Sequence, residues 1–85
     1  VLYSDLKVVT HKSVALAAQN FMLSMAEIGY DTCPMEGSDT KRVKKILNLP
    51  RKAEITMIIA CGVRNDNGIY SPRFRVPFDE VYKKI

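Results

Sequence analysis

The sequence predicts an α+β fold, and three observations predict it. Lys12 to Ile28 is a run of strong helix formers with no proline or glycine. Val43, Ile46 and Leu47 repeat at helical spacing in a second, shorter segment. Glu54 to Val63 is a nearly continuous apolar run bounded by turn residues, the pattern of a strand buried on both faces.

The first helix has Thr10 or Ser13 as candidate caps and Gly29 as its stop signal. Its apolar residues are not confined to one side: Leu16, Ala17, Phe21, Leu23, Ala26 and Ile28 cannot all face one core. A helix apolar all round is normally surrounded by protein, so the sequence predicts a covering surface from elsewhere in the protein or from another subunit. Tyr30 to Asp39 reads as a loop, from Gly29, Pro34, Gly37, Ser38 and Asp39. Ser38 or Asp39 can cap the second helix, which Asn48 and Pro50 end. Pro72 and Pro77 hold the segment around Arg73 to Pro77 extended, and Asp79 is placed to cap a last turn over Glu80 to Lys84.

The bulk composition allows one small domain. With 85 residues, 47% hydrophobic and 26% charged, the chain is globular in type, yet this length buries only about 60% of the surface an unfolded chain exposes. Val14 to Ile28 is interrupted by Gln19, Asn20, Ser24 and Glu27 and falls short of the ~20 residues that span a bilayer, so no membrane partner is predicted. A net charge of +4 favours anionic partners without choosing among them. Cys33 and Cys61 have no CxxC spacing and only His11 as a further soft ligand; no zinc site or disulfide framework is indicated, and reduced thiols in the cytoplasm are expected. Val1 without an initiating methionine reads as a truncation.

Two constellations can carry chemistry. The first is Cys33, Pro34, Met35, Glu36, Gly37, leading into a helix. Backbone N–H groups ahead of a helix form preorganised donors suited to a group that gains electron density, and Gly37 lets a flat ligand approach without a side chain in the way. An ordinary helix-to-helix connection has the same turn chemistry. The second is Pro72, Arg73, Phe74, Arg75, Val76, Pro77. Side chains two apart on an extended chain share a face, so Arg73 and Arg75 can reach one phosphate while Phe74 turns into the core. A solvated edge strand whose charges discourage aggregation has the same pattern.

Other candidates are weaker. Lys41, Arg42, Lys44 and Lys45 alternate with apolar residues in a plain amphipathic pattern, and no nucleic-acid motif accompanies them. His11 has no partner nearby in sequence and reads as a surface or capping residue. Cys33 has no evident base, and Cys61, inside the predicted strand, reads as inert packing.

Taken together, Ser13 to Leu23, then Gly29 to Gly37, resemble the long central helix and flavin-contacting loop of nitroreductases. The Val43 to Pro50 helix, the Glu54 to Gly62 strand, and Arg73 with Arg75 continue the resemblance over essentially the whole chain. The Pro-x-Glu-Gly loop combined with two basic residues two apart near the C-terminus is more specific than either alone. The resemblance implies a dimeric α+β protein that binds FMN between subunits and passes a hydride from NADH or NADPH to nitroaromatics, quinones or related small-molecule acceptors. Carried over residue by residue, it implies that Pro34, Met35, Glu36 and Gly37 line one face of the isoalloxazine, with the Glu36 amide bonded to the ring nitrogen that carries the hydride. Arg73 and Arg75 would hold the phosphate.

Family members are about twice as long, and their Arg-Ser-containing N-terminal segment has no counterpart ahead of Val1. Residues 1–85 are therefore expected to be a single partial domain, the C-terminal part of a nitroreductase-like fold, inactive alone and partnered by the N-terminal part and a second subunit. A non-catalytic interaction domain that keeps the flavin-site fold is the alternative. Nucleic acid is not an expected partner.

Overall fold

A computed structural model describes residues 3–85. They form α1 (Tyr3–Glu27), β1 (Asp31–Met35), α2 (Thr40–Ile46), β2 (Ile58–Gly62), a single 3-10 turn at Asp66–Gly68 and a short α3 (Phe78–Val81). The predicted α+β class holds: a long helix and a small sheet, joined by short helical pieces.

α1 starts well before the predicted Lys12, because nothing from Tyr3 onward breaks a helix and Asp5 in the first turn suits the positive end of the dipole. Thr10 and Ser13 lie inside it and cap nothing. The Thr10 hydroxyl instead donates to the Leu6 carbonyl one turn back, at 2.7 Å. The predicted stop is correct. Gly29 takes φ +91°, Tyr30 N–H reaches the Met25 carbonyl at 2.9 Å, and Gly29 N–H reaches that of Ala26 at 3.1 Å. This double reversal closes the helix and turns the chain directly into β1.

The segment predicted as a loop, Tyr30 to Asp39, contains β1 instead. It pairs antiparallel with β2, running from Asp31 opposite Gly62 to Met35 opposite Ile58. Pro34, which argued for a loop, sits opposite Ile59; β1 has one partner, so a missing N–H on its open side breaks no ladder bond. β2 is shorter than the predicted Glu54 to Val63 and is not buried on both faces. Ile58 and Ile59 are half-buried, while Ala60, Cys61 and Gly62 are exposed. A two-stranded ribbon has too few neighbours to cover both of its faces.

α2 begins where predicted. Asp39 is its cap, its carboxylate accepting from the Arg42 N–H at 3.2 Å. The helix closes with the same reversal as α1: Leu49 N–H to Lys44 O at 2.9 Å and Asn48 N–H to Lys45 O at 3.2 Å, with Asn48 at φ 54°. α3 has Pro77 at its cap position with no side-chain bond, so Asp79 is a first-turn residue and not the predicted cap. Phe78 and Tyr82 stack across it with centroids 4.8 Å apart.

On α1 the half-buried residues are His11, Ala15, Ala18, Met22 and Met25. Steps of four and three define one stripe, the side turned to the rest of the chain. Elsewhere the helix is open: Leu16 is 72% exposed and Leu23 60%. No described residue is fully buried.

The left-handed position at Asn48 gives a test. Asn48→Val should cost about 1–2 kcal/mol in chemical denaturation of the protein, and Asn48→Gly should cost nothing. Equal losses for both would show that this turn does not close α2 as described.

Candidate functional site

The ladder brings the first constellation to its end. Pro34 and Met35 are the last residues of β1, and past the final pair, Met35 with Ile58, the chain continues as Glu36 and Gly37. Among the described residues the N–H groups of Glu36 and Gly37 have no backbone acceptor. All four residues are exposed. A Cβ built on Gly37 would meet nothing within 4 Å, so the approach to this loop is open. The result is a pair of donors in an exposed loop, between the end of the ladder on one side and the Asp39-capped α2 on the other.

The second constellation lies in the irregular segment between the 3-10 turn and α3. Arg73 and Arg75 are exposed. The Arg75 guanidinium donates to the Phe74 carbonyl at 3.1 Å, a local bond that leaves most of its donors unused. Phe74 does not enter a core as predicted; it is 77% exposed. No described hydrogen bond or ion pair links the two arginines to the Pro34–Gly37 loop.

Two clefts occur elsewhere, and none of the six predicted residues lines either. One, of about 580 Å³, lies along the ribbon beside Asp31, Cys33, Cys61, Arg64 and Ile69. Cys61 is exposed, not inert packing, and Cys33 is exposed as well. The other, of about 300 Å³, lies between α1 and the chain entering β2. Here His11 has partners that its sequence neighbours do not reveal: Nδ1 lies 2.9 Å from the Thr56 hydroxyl and Nε2 4.0 Å from the Glu54 carboxylate. Lys7 pairs with Glu54 at 3.0 Å and holds its carboxyl below the usual range.

Asp31 and Arg64 form the other missed pair. The Arg64 guanidinium donates to Asp31 at 2.8 Å and its backbone N–H to the second carboxylate oxygen at 3.1 Å. These bonds pin the chain leaving β2 to the start of β1. They also hold the Asp31 carboxyl below its ordinary value, chiefly through the side-chain bond from Arg64. Thirty-three residues separate the partners, and no spacing rule anticipates them. Among the described residues no group of three or more His, Cys, Asp or Glu could hold a metal, and no helix is long and apolar enough to cross a membrane.

Comparison with known proteins gives a consistent result. Residues 4–63 match the model of the nitroreductase family. The MhqN protein of Bacillus subtilis (strain 168), whose name carries the words NAD(P)H nitroreductase, is 39% identical over 69 residues, covering 81% of this chain and 34% of its own length. An NADPH-dependent oxidoreductase of Staphylococcus epidermidis is 34% identical over 73 residues, 84% of this chain and 29% of that protein. The crystal structure of the Bacillus subtilis nitroreductase-type protein ydfN superposes with a TM-score of 0.74 at 38% identity, over 84% of this chain and 34% of that one. The chain thus spans about a third of the length of these relatives, less than the half anticipated from the resemblance.

Because Asp31 is bonded in the folded chain, its contribution to stability is present above the pKa of a free aspartate and is lost as pH falls through its depressed folded value. NMR titration should find Asp31 ionising below the ordinary range, and Arg64→Gln should return it there. An unchanged midpoint in the variant would remove Arg64 as the cause.

Proposed function

Because this chain belongs to the nitroreductase family, we propose that it supplies one part of the FMN site of an oxidoreductase that moves reducing equivalents from NAD(P)H to nitroaromatic, quinone or similar acceptors. The observation that carries this reading is the pair of free N–H donors at Glu36 and Gly37 beside an open approach. FMN, when bound, would supply the hydride chemistry. This chain's part is to bind and orient. The Glu36 N–H would hold the ring nitrogen at which FMN gains electron density, as a preorganised donor. Pro34 and Met35 form the wall beside it, and Gly37 keeps the approach free of a side chain. No side chain serves as nucleophile or obligatory acid.

Arg73 and Arg75 hold the flavin phosphate. Both guanidinium groups are exposed with donors to spare, and the forked geometry of arginine matches phosphate oxygens. These residues lie on the far side of β2 in sequence from the loop, which suits the two ends of one long ligand.

The remainder of the site comes from further protein. The open sides of α1, with Leu16 and Leu23 at its middle, and the uncovered end of the ribbon are surfaces that a nitroreductase-like N-terminal part and a homodimer partner would cover. Residues 1–85 are then part of one domain, inactive by themselves. Free thiols at Cys33 and Cys61 fit a reducing, cytoplasmic setting. The same exposed apolar surface favours the second reading, an interaction domain that keeps the flavin-site fold without turnover.

Two variants test the site assignment. Gly37→Val puts a branched side chain into open space, so folding should be unaffected while flavin retention falls. In the flavin-bearing protein, Arg73→Ala with Arg75→Ala should likewise release flavin at unchanged thermal stability. Flavin content equal to that of the parent protein in both variants would contradict the site assignment.

A further inference from the structure

The flavin reading leaves one cleft without a role, the space of about 300 Å³ between α1 and the chain entering β2. Its two walls follow from chain geometry. On α1, Lys7, His11 and Val14 are spaced by four and three, so they lie along one side of the helix, with Leu6 beside them. Opposite stand Lys52, Glu54 and Thr56. They alternate with the half-buried Ala53 and Ile55, the period of an extended chain that turns every second side chain to one face. None of these residues belongs to the Pro34–Gly37 loop or to the arginine pair.

The bonds that join the walls decide what the cleft can hold. Glu54 is paired with Lys7 at 3.0 Å, and that ammonium holds its carboxyl below the ordinary range, so the acid is ionised and its charge is met. Lys52 is exposed, and no ion pair among the described residues engages it. Two lysines against one carboxylate therefore leave one surplus positive charge while His11 is neutral. The bond between His11 Nδ1 and the Thr56 hydroxyl, 2.9 Å long, leaves one proton over in either tautomer. When the hydroxyl donates to Nδ1, the ring proton is on Nε2; when Nδ1 donates, the hydroxyl proton is free. Nε2 stands 4.0 Å from Glu54, too far for a hydrogen bond to use it up. Leu6 and Val14 supply an apolar rest. A surplus cation, a spare neutral donor and two aliphatic side chains around one cleft complement an anion with an apolar body.

We infer that this cleft is a binding site for a small monocarboxylate of single-ring size. Its carboxylate meets Lys52 and the His11–Thr56 pair, and its body rests on Leu6 and Val14. A volume of about 300 Å³ is at the lower end of ligand pockets, which suits a ligand no larger than this. A dianion such as phosphate is disfavoured, because one surplus cation balances one negative charge and Glu54 repels the second. The inference shares no residue with the flavin reading and does not rest on it.

The test is an NMR titration of the protein with benzoate, its neutral analogue benzamide, and inorganic phosphate, following the backbone amides and the His11 ring. Benzoate should saturate, with the largest shifts at His11, Lys52 and Thr56. It should bind about tenfold or more tighter than benzamide and tighter than phosphate. Lys52→Gln should remove the preference for benzoate over benzamide, and Lys83→Gln should leave it intact. The shift map on the parent protein needs no variant to fold. Failure to saturate, benzamide or phosphate binding as tightly as benzoate, or shifts at Glu36 and Gly37 in place of the cleft would overturn the proposal. So would loss of benzoate binding when the chain is assembled with the N-terminal part of a nitroreductase domain, which would assign the cleft to that protein.

Discussion

The antiparallel pairing of β1 with β2 is the constraint on which the other features depend. It is non-local, joining residues 31–35 to 58–62, and it fixes three things at once. It sets the direction in which the chain leaves α1, through the Gly29 reversal. It brings Asp31 opposite Gly62, and so within reach of Arg64 just beyond. And by ending at Met35 and Ile58 it leaves the next two N–H groups, those of Glu36 and Gly37, outside the ladder. A one-residue slip would turn one strand's side chains to the opposite face relative to its partner and change which amide stands first beyond the last pair.

Exposure is the second organising fact. The chain has helices, a ladder and capped ends, so its local structure is well specified, but none of its described residues is fully buried. Local closure comes from hydrogen bonds: two helix-ending reversals, the Asp39 cap, the Lys44 clamp and the Asp31–Arg64 pair. Such exposed pairs are individually weak. Hydrophobic burial, the dominant favourable term in folding, is left incomplete along α1 and the ribbon. The functional reading and the packing reading therefore make the same demand. The proposed flavin site, to which these residues would contribute only a part, and a helix covered on one side both call for additional protein surface.

Much of this was legible in the sequence, and the misses have physical causes. Gly29, Asp39, Asn48 and Pro50 marked helix ends through backbone rules that act over a few residues, and each acts as expected. By local propensity Pro34 and Gly37 mark a loop where the structure has β1, because a ribbon with an open edge tolerates proline. Thr10 and Ser13 resemble caps in sequence and hide the early start of α1, whereas the Thr10 hydroxyl bonds one turn back. Burial was overestimated for Cys61 and Phe74, since apolar sequence shows what a segment can pack against and not whether a partner lies within the same 85 residues. The His11–Thr56 and Asp31–Arg64 contacts join distant segments and leave no periodic signal. Of the candidate site, the Pro34–Gly37 loop and the Arg73/Arg75 pair were legible as motifs; the free amides that give the loop its chemistry appear only once the end of the ladder is known.

On the proposed function, this chain carries part of a flavin site that further nitroreductase-like protein completes. The most direct measurement is the visible absorption spectrum, taken with the intact mass, of the protein purified after co-expression with the N-terminal two thirds of a nitroreductase domain. The account predicts a yellow complex of the two polypeptides showing both absorption bands of oxidised flavin, with FMN recovered on denaturation. A complex that assembles and is colourless, even after incubation with FMN, would contradict it.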